Sequence, residues 1–155
     1  MNRDEFFMRE ALKEAKRAFD LDEVPIGAVL VLDDRVIARG HNQVELLQDA
    51  TAHAEMICLT AGASAIGNWR LLTATLYCTL EPCCMCAGAM LGSRVKKLVW
   101  AAPDIRMGAN GSWINLFKEK HPMHEIEVVS GVLQAEAADL MKVFFQKQRL
   151  KNVAT

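Results

Sequence analysis

The stretch Ala74 to Met90, ATLYCTLEPCCMCAGAM, constrains the fold more than any other part of the chain. Its first half, Ala74 to Leu80, is an apolar run of strand length. Glu81-Pro82 interrupts it, and small, helix-forming residues then continue to about Gly92. Proline is tolerated at the start of a helix, so the helix begins at the break. A strand feeding straight into a helix is half of a β–α unit, and such units build sheets covered by helices. Three of the five cysteines crowd into four positions at that junction.

The surrounding pattern agrees. Met8, Leu12, Ala15 and Phe19 recur at helical spacing among Arg, Lys and Glu, which predicts an amphipathic helix ending around Asp20 to Asp22. Ile26 to Leu32 and Arg35 to Arg39, joined by Asp33-Asp34, read as a β-hairpin. Gly40 to Ala50 has no periodicity and reads as a loop. A second helix opens around Thr51 to Met56, with Gly62 as its expected stop. Val95 to Trp100 and Glu125 to Val129 read as strands, 101–122 as a surface excursion, and Leu133 to Lys151 as a final helix. Its apolar face is drawn from Leu133, Ala137, Leu140, Met141, Phe144 and Phe145. Helix, hairpin, then alternating helices and strands predict a layered α/β domain with its later strands parallel.

A chain of 155 residues matches one domain, residues 1–155, and can bury enough surface to fold without disulfides. A net charge of −1 gives no bulk reason to bind nucleic acid, so such a partner would need a local basic patch. The longest apolar run, Val24 to Leu32, is too short to span a membrane, and the charged N-terminus has no signal-peptide core. These features predict a cytoplasmic protein, where clustered cysteines bind metal or do chemistry rather than form disulfides.

Cys83 and Cys86, three apart, share a helix face, whereas Cys84 is rotated by about 100°. A helix N-terminus favours thiolates. Two thiolates with an imidazole suit zinc. Of His41, His53, His121 and His124, His53 fits best because it also sits at a helix start; His41 fits less well, and His121 and His124 read as solvated. Cys84 reads as a small buried hydrophobe. Three protein ligands leave a position for water, which zinc acidifies to a pKa near 7. Glu55 is then placed to move protons as a carboxylate that does not ligate. Residues two apart on an ideal helix diverge, so His53 and Glu55 converge only if His53 lies at the frayed helix start.

His-Ala-Glu followed some thirty residues on by Pro-Cys-x-x-Cys is the signature of zinc-dependent base deaminases. The chain resembles the bacterial tRNA-specific adenosine deaminase group of the cytidine deaminase-like family. The resemblance runs through VPIGAVLV (Val24 to Val31), His41-Asn42, DATAHAEM (Asp49 to Met56), NWRL (Asn68 to Leu71), ATLYCTLEPCCMCAGAM, Ser93-Arg94, GANGS (Gly108 to Ser112) and Phe144-Phe145. It implies a three-layer α/β/α sandwich with a mixed sheet of about five strands, homodimerisation, and conversion of a tRNA wobble adenosine to inosine. It also implies one Zn2+ per subunit on His53, Cys83 and Cys86, and proton transfer by Glu55 as ammonia leaves C6. Substrate contacts are implied at Asn42, Ala54, Asp104 and Phe145, with the tRNA anticodon stem-loop as partner. Two positions depart from the family pattern: Ala50 replaces a proline, and Met107 replaces a threonine.

Lys142, Lys147, Arg149 and Lys151 on the last helix, with Arg94, Lys96, Lys97 and Arg106, are candidates for phosphate contacts. The same terminal charges can equally serve as a solvated helix end that complements its own dipole. Two other functions share the zinc motifs: deamination of a free base or nucleoside such as guanine or cytosine, and a non-catalytic zinc-stabilised RNA-binding module. Glu55 speaks against the second, because a structural metal site has no use for an unliganded carboxylate.

Overall fold

The computed structural model describes residues 1–154. Its elements are α1 (Arg3–Asp20), β1 (Gly27–Leu32), β2 (Arg35–His41), α2 (Val44–Leu47), α3 (Ala54–Ile66), β3 (Thr75–Leu80), α4 (Cys84–Gly92), β4 (Lys97–Ala102), β5 (Glu127–Ser130) and α5 (Gln134–Ala154). One five-stranded sheet runs in the order β2-β1-β3-β4-β5. β1 is antiparallel to both β2 and β3, while β3, β4 and β5 are parallel. The sheet is mixed, and its later strands are parallel as the pattern predicts.

The apolar runs of β1, β3 and β4 arise because both faces of those strands are covered. Ala28, Leu30, Leu76, Cys78, Leu98 and Trp100 face Ala54, Cys58 and Leu59 of α3 and Cys86 and Met90 of α4. Their alternates Val29, Val31, Tyr77, Val99 and Ala101 face Phe7, Met8 and Ala11 of α1 and Ala137 of α5. This is the three-layer α/β/α arrangement. Asn2 caps α1 by accepting the Glu5 N–H at 2.8 Å. Asp33 and Asp34 both take positive φ, 50° and 59°, as a two-residue hairpin turn requires.

Three local expectations change. Residues 40–50 are not all loop: β2 continues to His41, and Val44–Leu47 forms one helical turn. That turn exists because the buried Glu23 carboxylate accepts the Glu45 and Leu46 N–H groups at 2.9 and 2.8 Å. Its cap comes from a residue more than twenty positions away, so no local signal marks it. Gly62 does not end α3. The helix runs to Ile66 and stops at Gly67 with φ 74°, while Gly62 gives room to Leu30, whose Cδ2 an added Cβ would strike. His124 is not solvated either: its Nε2 lies 2.6 Å from the Val95 carbonyl oxygen, and His121 Nδ1 accepts the Met123 N–H at 3.1 Å. No helix among the described residues is long and apolar enough to cross a membrane.

Candidate metal centre and active site

Two helix starts meet at one end of the sheet. His53 is the N-cap of α3, with φ −72° and ψ 149°, and Cys83 is the N-cap of α4, with φ −74° and ψ 173°. Both are extended rather than helical, and neither uses its side chain to cap its helix. The imidazole and the thiol are thereby free to project away from their helices. Because His53 lies outside the helical phase, the divergence expected of residues two apart does not apply to His53 and Glu55. Pro82 precedes the N-cap rather than opening the helix, and its carbonyl accepts the Ala109 N–H at 2.8 Å.

His53 Nδ1 lies 3.5 Å from Cys83 Sγ and 3.5 Å from Cys86 Sγ. All three donor atoms fall within 4.8 Å of one another, with Cys83 and Cys86 buried and His53 half-buried. Cys86 is on the first turn of α4, so chain geometry alone brings it back over Cys83. Hydrogen bonding from the Cys86 thiol, reinforced by His53, pulls the Cys83 thiol down to about 4. That bond and burial push Cys86 up. Bonding to Cys83 raises His53. Two sulfurs and one imidazole nitrogen, close together and leaving room for a fourth donor, fit zinc.

Glu55 follows His53 on the first turn of α3 and is 4% exposed. Burial holds its carboxyl above the usual range. A carboxyl so placed exchanges protons closer to neutrality than a surface one.

Cys84 is exposed and stands apart from the cluster, which corrects the expectation of a buried hydrophobe. It opens α4 one position after the N-cap, where its side chain turns out to solvent. His41 is also elsewhere, with its Nδ1 3.7 Å from the buried Glu14 carboxylate.

Asn42 is buried and oriented on both sides. Its Nδ2 donates to the Val24 carbonyl at 3.2 Å, and its Oδ1 accepts the Val44 N–H at 3.2 Å. With His53, Glu23, Val24 and Ile26 it lines a cleft of about 230 Å³. Val24 and Ile26 also wall a second cleft of about 290 Å³, lined further by Leu80, Asp104, Met141 and Phe145. Asn42, Asp104 and Phe145, distant in sequence, therefore border two clefts that share Val24 and Ile26, the first of them lined by His53 of the cluster. Ala54 is fully buried in the core and lines neither. Of the adjacent phenylalanines, Phe144 is 4% exposed and packs on Phe19, while Phe145 remains half-buried.

Besides Glu14, two buried carboxylates near the site carry no role in the sequence pattern. Glu23 caps α2 on the cleft wall, and Glu81 lies under the segment after β4. Glu81 carried a signal, a lone acid set in the apolar run TLYCTLEPC, whereas Glu23 stands beside Asp20 and Asp22 at the end of a charged stretch and carried none.

Comparison with known proteins agrees with this geometry. Residues 1–102 match the cytidine and deoxycytidylate deaminase zinc-binding region. A tRNA-specific adenosine deaminase of Bacillus subtilis (strain 168) is 50% identical over 154 residues, covering 99% of this chain and 96% of that one. The chloroplastic tRNA(adenine(34)) deaminase of Arabidopsis thaliana is 55% identical over 159 residues, covering 92% of this chain, which spans only 12% of that much longer protein. A solved structure from work on A-to-I editing by tRNA:A34 deaminases at the wobble position of transfer RNA superposes with TM-score 0.83 at 46% identity, covering 87% of this chain and 98% of the other. With fold, cysteine–histidine cluster and near-full-length likeness in agreement, the chain belongs to the zinc-binding cytidine and deoxycytidylate deaminase family, alongside its tRNA-specific adenosine deaminases.

Proposed function

We propose that this chain is a zinc-dependent deaminase that converts the wobble adenosine of a tRNA anticodon to inosine, with water consumed and ammonia released. The observation that carries the reading is the three-donor cluster of His53, Cys83 and Cys86 beside the buried Glu55, opening on a cleft bordered by Asn42. Relatives bearing that activity in their names, at about half identity over nearly the whole chain, support the substrate class.

His53 Nδ1, Cys83 Sγ and Cys86 Sγ would hold the metal. Zinc, when bound, acts as a Lewis acid and brings water to a pKa near 7. Glu55 takes one proton from water as its oxygen bonds to C6 and passes it to N1, then carries the second from the C6 hydroxyl to the amino nitrogen, which departs as ammonia and leaves the C6=O and N1–H of inosine. Burial raises the carboxyl for both halves of this transfer. Asn42 orients the base. A side-chain amide offers two donors and two acceptor sites; Val24 and Val44 occupy one of each, leaving one donor and one acceptor for a base edge. Phe145 presents a half-exposed ring on which an unstacked base can lie, with Asp104 across the same cleft. Exposed Lys142, Lys147 and Arg149 on α5 and Arg106 nearby supply positive charge for phosphates.

The proposal extends to partners and setting. Residues 1–155 act as one deaminase domain on an anticodon stem-loop, as a homodimer, in the cytoplasm. Five free cysteines suit a reducing compartment. The test is direct: purified zinc-loaded protein is incubated with a stem-loop bearing a wobble adenosine and, separately, with free adenosine, cytosine and guanine. Inosine in the stem-loop is the expected product. Product from free bases alone overturns the tRNA assignment.

A further inference from the structure

Glu81 directly follows β3 and is 1% exposed, yet no step above uses it. Its carboxylate accepts four hydrogen bonds from a single segment. Oε1 takes the Asp104 N–H at 3.1 Å and the Ser112 hydroxyl; Oε2 takes the Asn110 N–H at 2.9 Å and the Ser112 N–H at 3.2 Å. A buried carboxylate is tolerated only when its lone pairs are satisfied. Here every donor belongs to residues 104–112, so that segment cannot shift without stranding the acid.

The same segment touches both halves of the site. Gly108 pairs with Cys83 in an isolated antiparallel bridge. Gly108 is glycine because a Cβ there would collide with the Glu81 carboxyl and lie 2.5 Å from the Asp104 carbonyl oxygen. Asp104 accepts the Arg106 and Met107 N–H groups, each at 3.2 Å, on the wall of the Phe145 cleft. Glu81 therefore ties the wall carrying Asp104 to the strand end that leads into Cys83.

We infer that Glu81 is a positioning residue for substrate: it fixes residues 104–112 so that Asp104 meets the RNA at a set distance from the His53–Cys83–Cys86 cluster. This rests on the deamination reading and on the contact proposed for Asp104. Glutamine in its place has the same shape but only one acceptor oxygen. Its NH2 group must face N–H donors, which removes bonds and sets donor against donor.

The test compares the wild type with Glu81→Gln, Ser112→Ala and Asp104→Ala, and with each of the first two combined with Asp104→Ala. Zinc content, melting, kcat and KM on the wobble-adenosine stem-loop are measured. Glu81→Gln is expected to retain zinc and to raise KM by about tenfold while kcat changes by less than about threefold. In the Asp104→Ala background that rise disappears, because no carboxylate remains to be positioned. Ser112→Ala, losing the hydroxyl bond alone, raises KM by about threefold with the same dependence on Asp104, and carries the test if Glu81→Gln does not fold. An unchanged KM, or the same fold-loss in both backgrounds as for a purely structural residue, overturns the inference. A wild type without stem-loop turnover overturns the deamination reading, and this one with it; an active wild type with additive variants overturns Glu81 alone.

Discussion

Gly40 lets the sheet approach the backbone of the active-site helix closely, and Gly40→Ala tests whether that contact sets the site. Gly40 lies in β2 beneath the first turn of α3. A Cβ built there overlaps the Ala54 carbonyl oxygen and stands 2.9 Å from the Cys58 backbone N and 3.1 Å from Cys58 Cβ. Ordinary contact begins near 3.5 Å, so α3 must retreat by roughly 1 Å. The neighbours are helix backbone, which cannot rotate aside. Overpacking of this kind costs about 1–3 kcal/mol, which for a chain of this size lowers the melting temperature by roughly 3–10 °C. The retreat moves His53 and Glu55 together, away from Cys83 and Cys86. A 1 Å misplacement of reacting groups costs on the order of a hundredfold in rate. The assays are thermal melting and kcat on the stem-loop, with Gly92→Ala as control, since an added Cβ there meets no atom within 4 Å. A Gly40→Ala protein that melts and turns over like wild type would refute the claim that this close approach positions the site.

Other outcomes follow from the same geometry. Cys83→Ala, Cys86→Ala and His53→Ala each lose zinc by metal analysis after dialysis, while Cys84→Ala, altering an exposed thiol outside the cluster, keeps it. Glu55→Gln keeps zinc but lowers kcat by about 10²–10⁴-fold, the usual contribution of a positioned acid–base group; unchanged turnover would remove Glu55 from the mechanism. Bonding to Lys13, and then to Arg39, holds Glu10 below the ordinary carboxylate range. A carboxyl depressed by folding contributes stability above its unfolded pKa and loses it as pH falls through the folded value. Melting temperature should therefore drop on acidification below about pH 4.5, and less steeply in Glu10→Gln.

Much of the fold was legible because local chemistry and tertiary context point the same way. The repeat Met8, Leu12, Ala15 marks α1 because those residues are buried, with Phe7, Ala11 and Ala18 beside them. Asp33-Asp34 tolerates the left-handed conformation that the hairpin demands. What was not legible depends on distant partners. The turn at Val44–Leu47 is capped by Glu23, Gly62 serves Leu30 across a layer boundary rather than ending a helix, and His124 bonds the Val95 carbonyl. For the site, ligand types and spacing named the residues that the structure brings together, but not the N-cap geometry that lets His53 and Cys83 leave their helices. The role of Glu81 was hidden, as that of Glu23 was. A buried acid reads as an isolated charge until the amides that satisfy it are in view.

A metal held by three protein ligands with one open position has a distinct signature in X-ray absorption at the zinc edge of the loaded protein. Two sulfur neighbours at about 2.3 Å and two nitrogen or oxygen neighbours at about 2.0–2.1 Å are expected, one of them His53 and the other exchangeable solvent. Three sulfurs, which would bring Cys84 into the site, or a fourth protein ligand closing it, would contradict the account and leave Glu55 without a task.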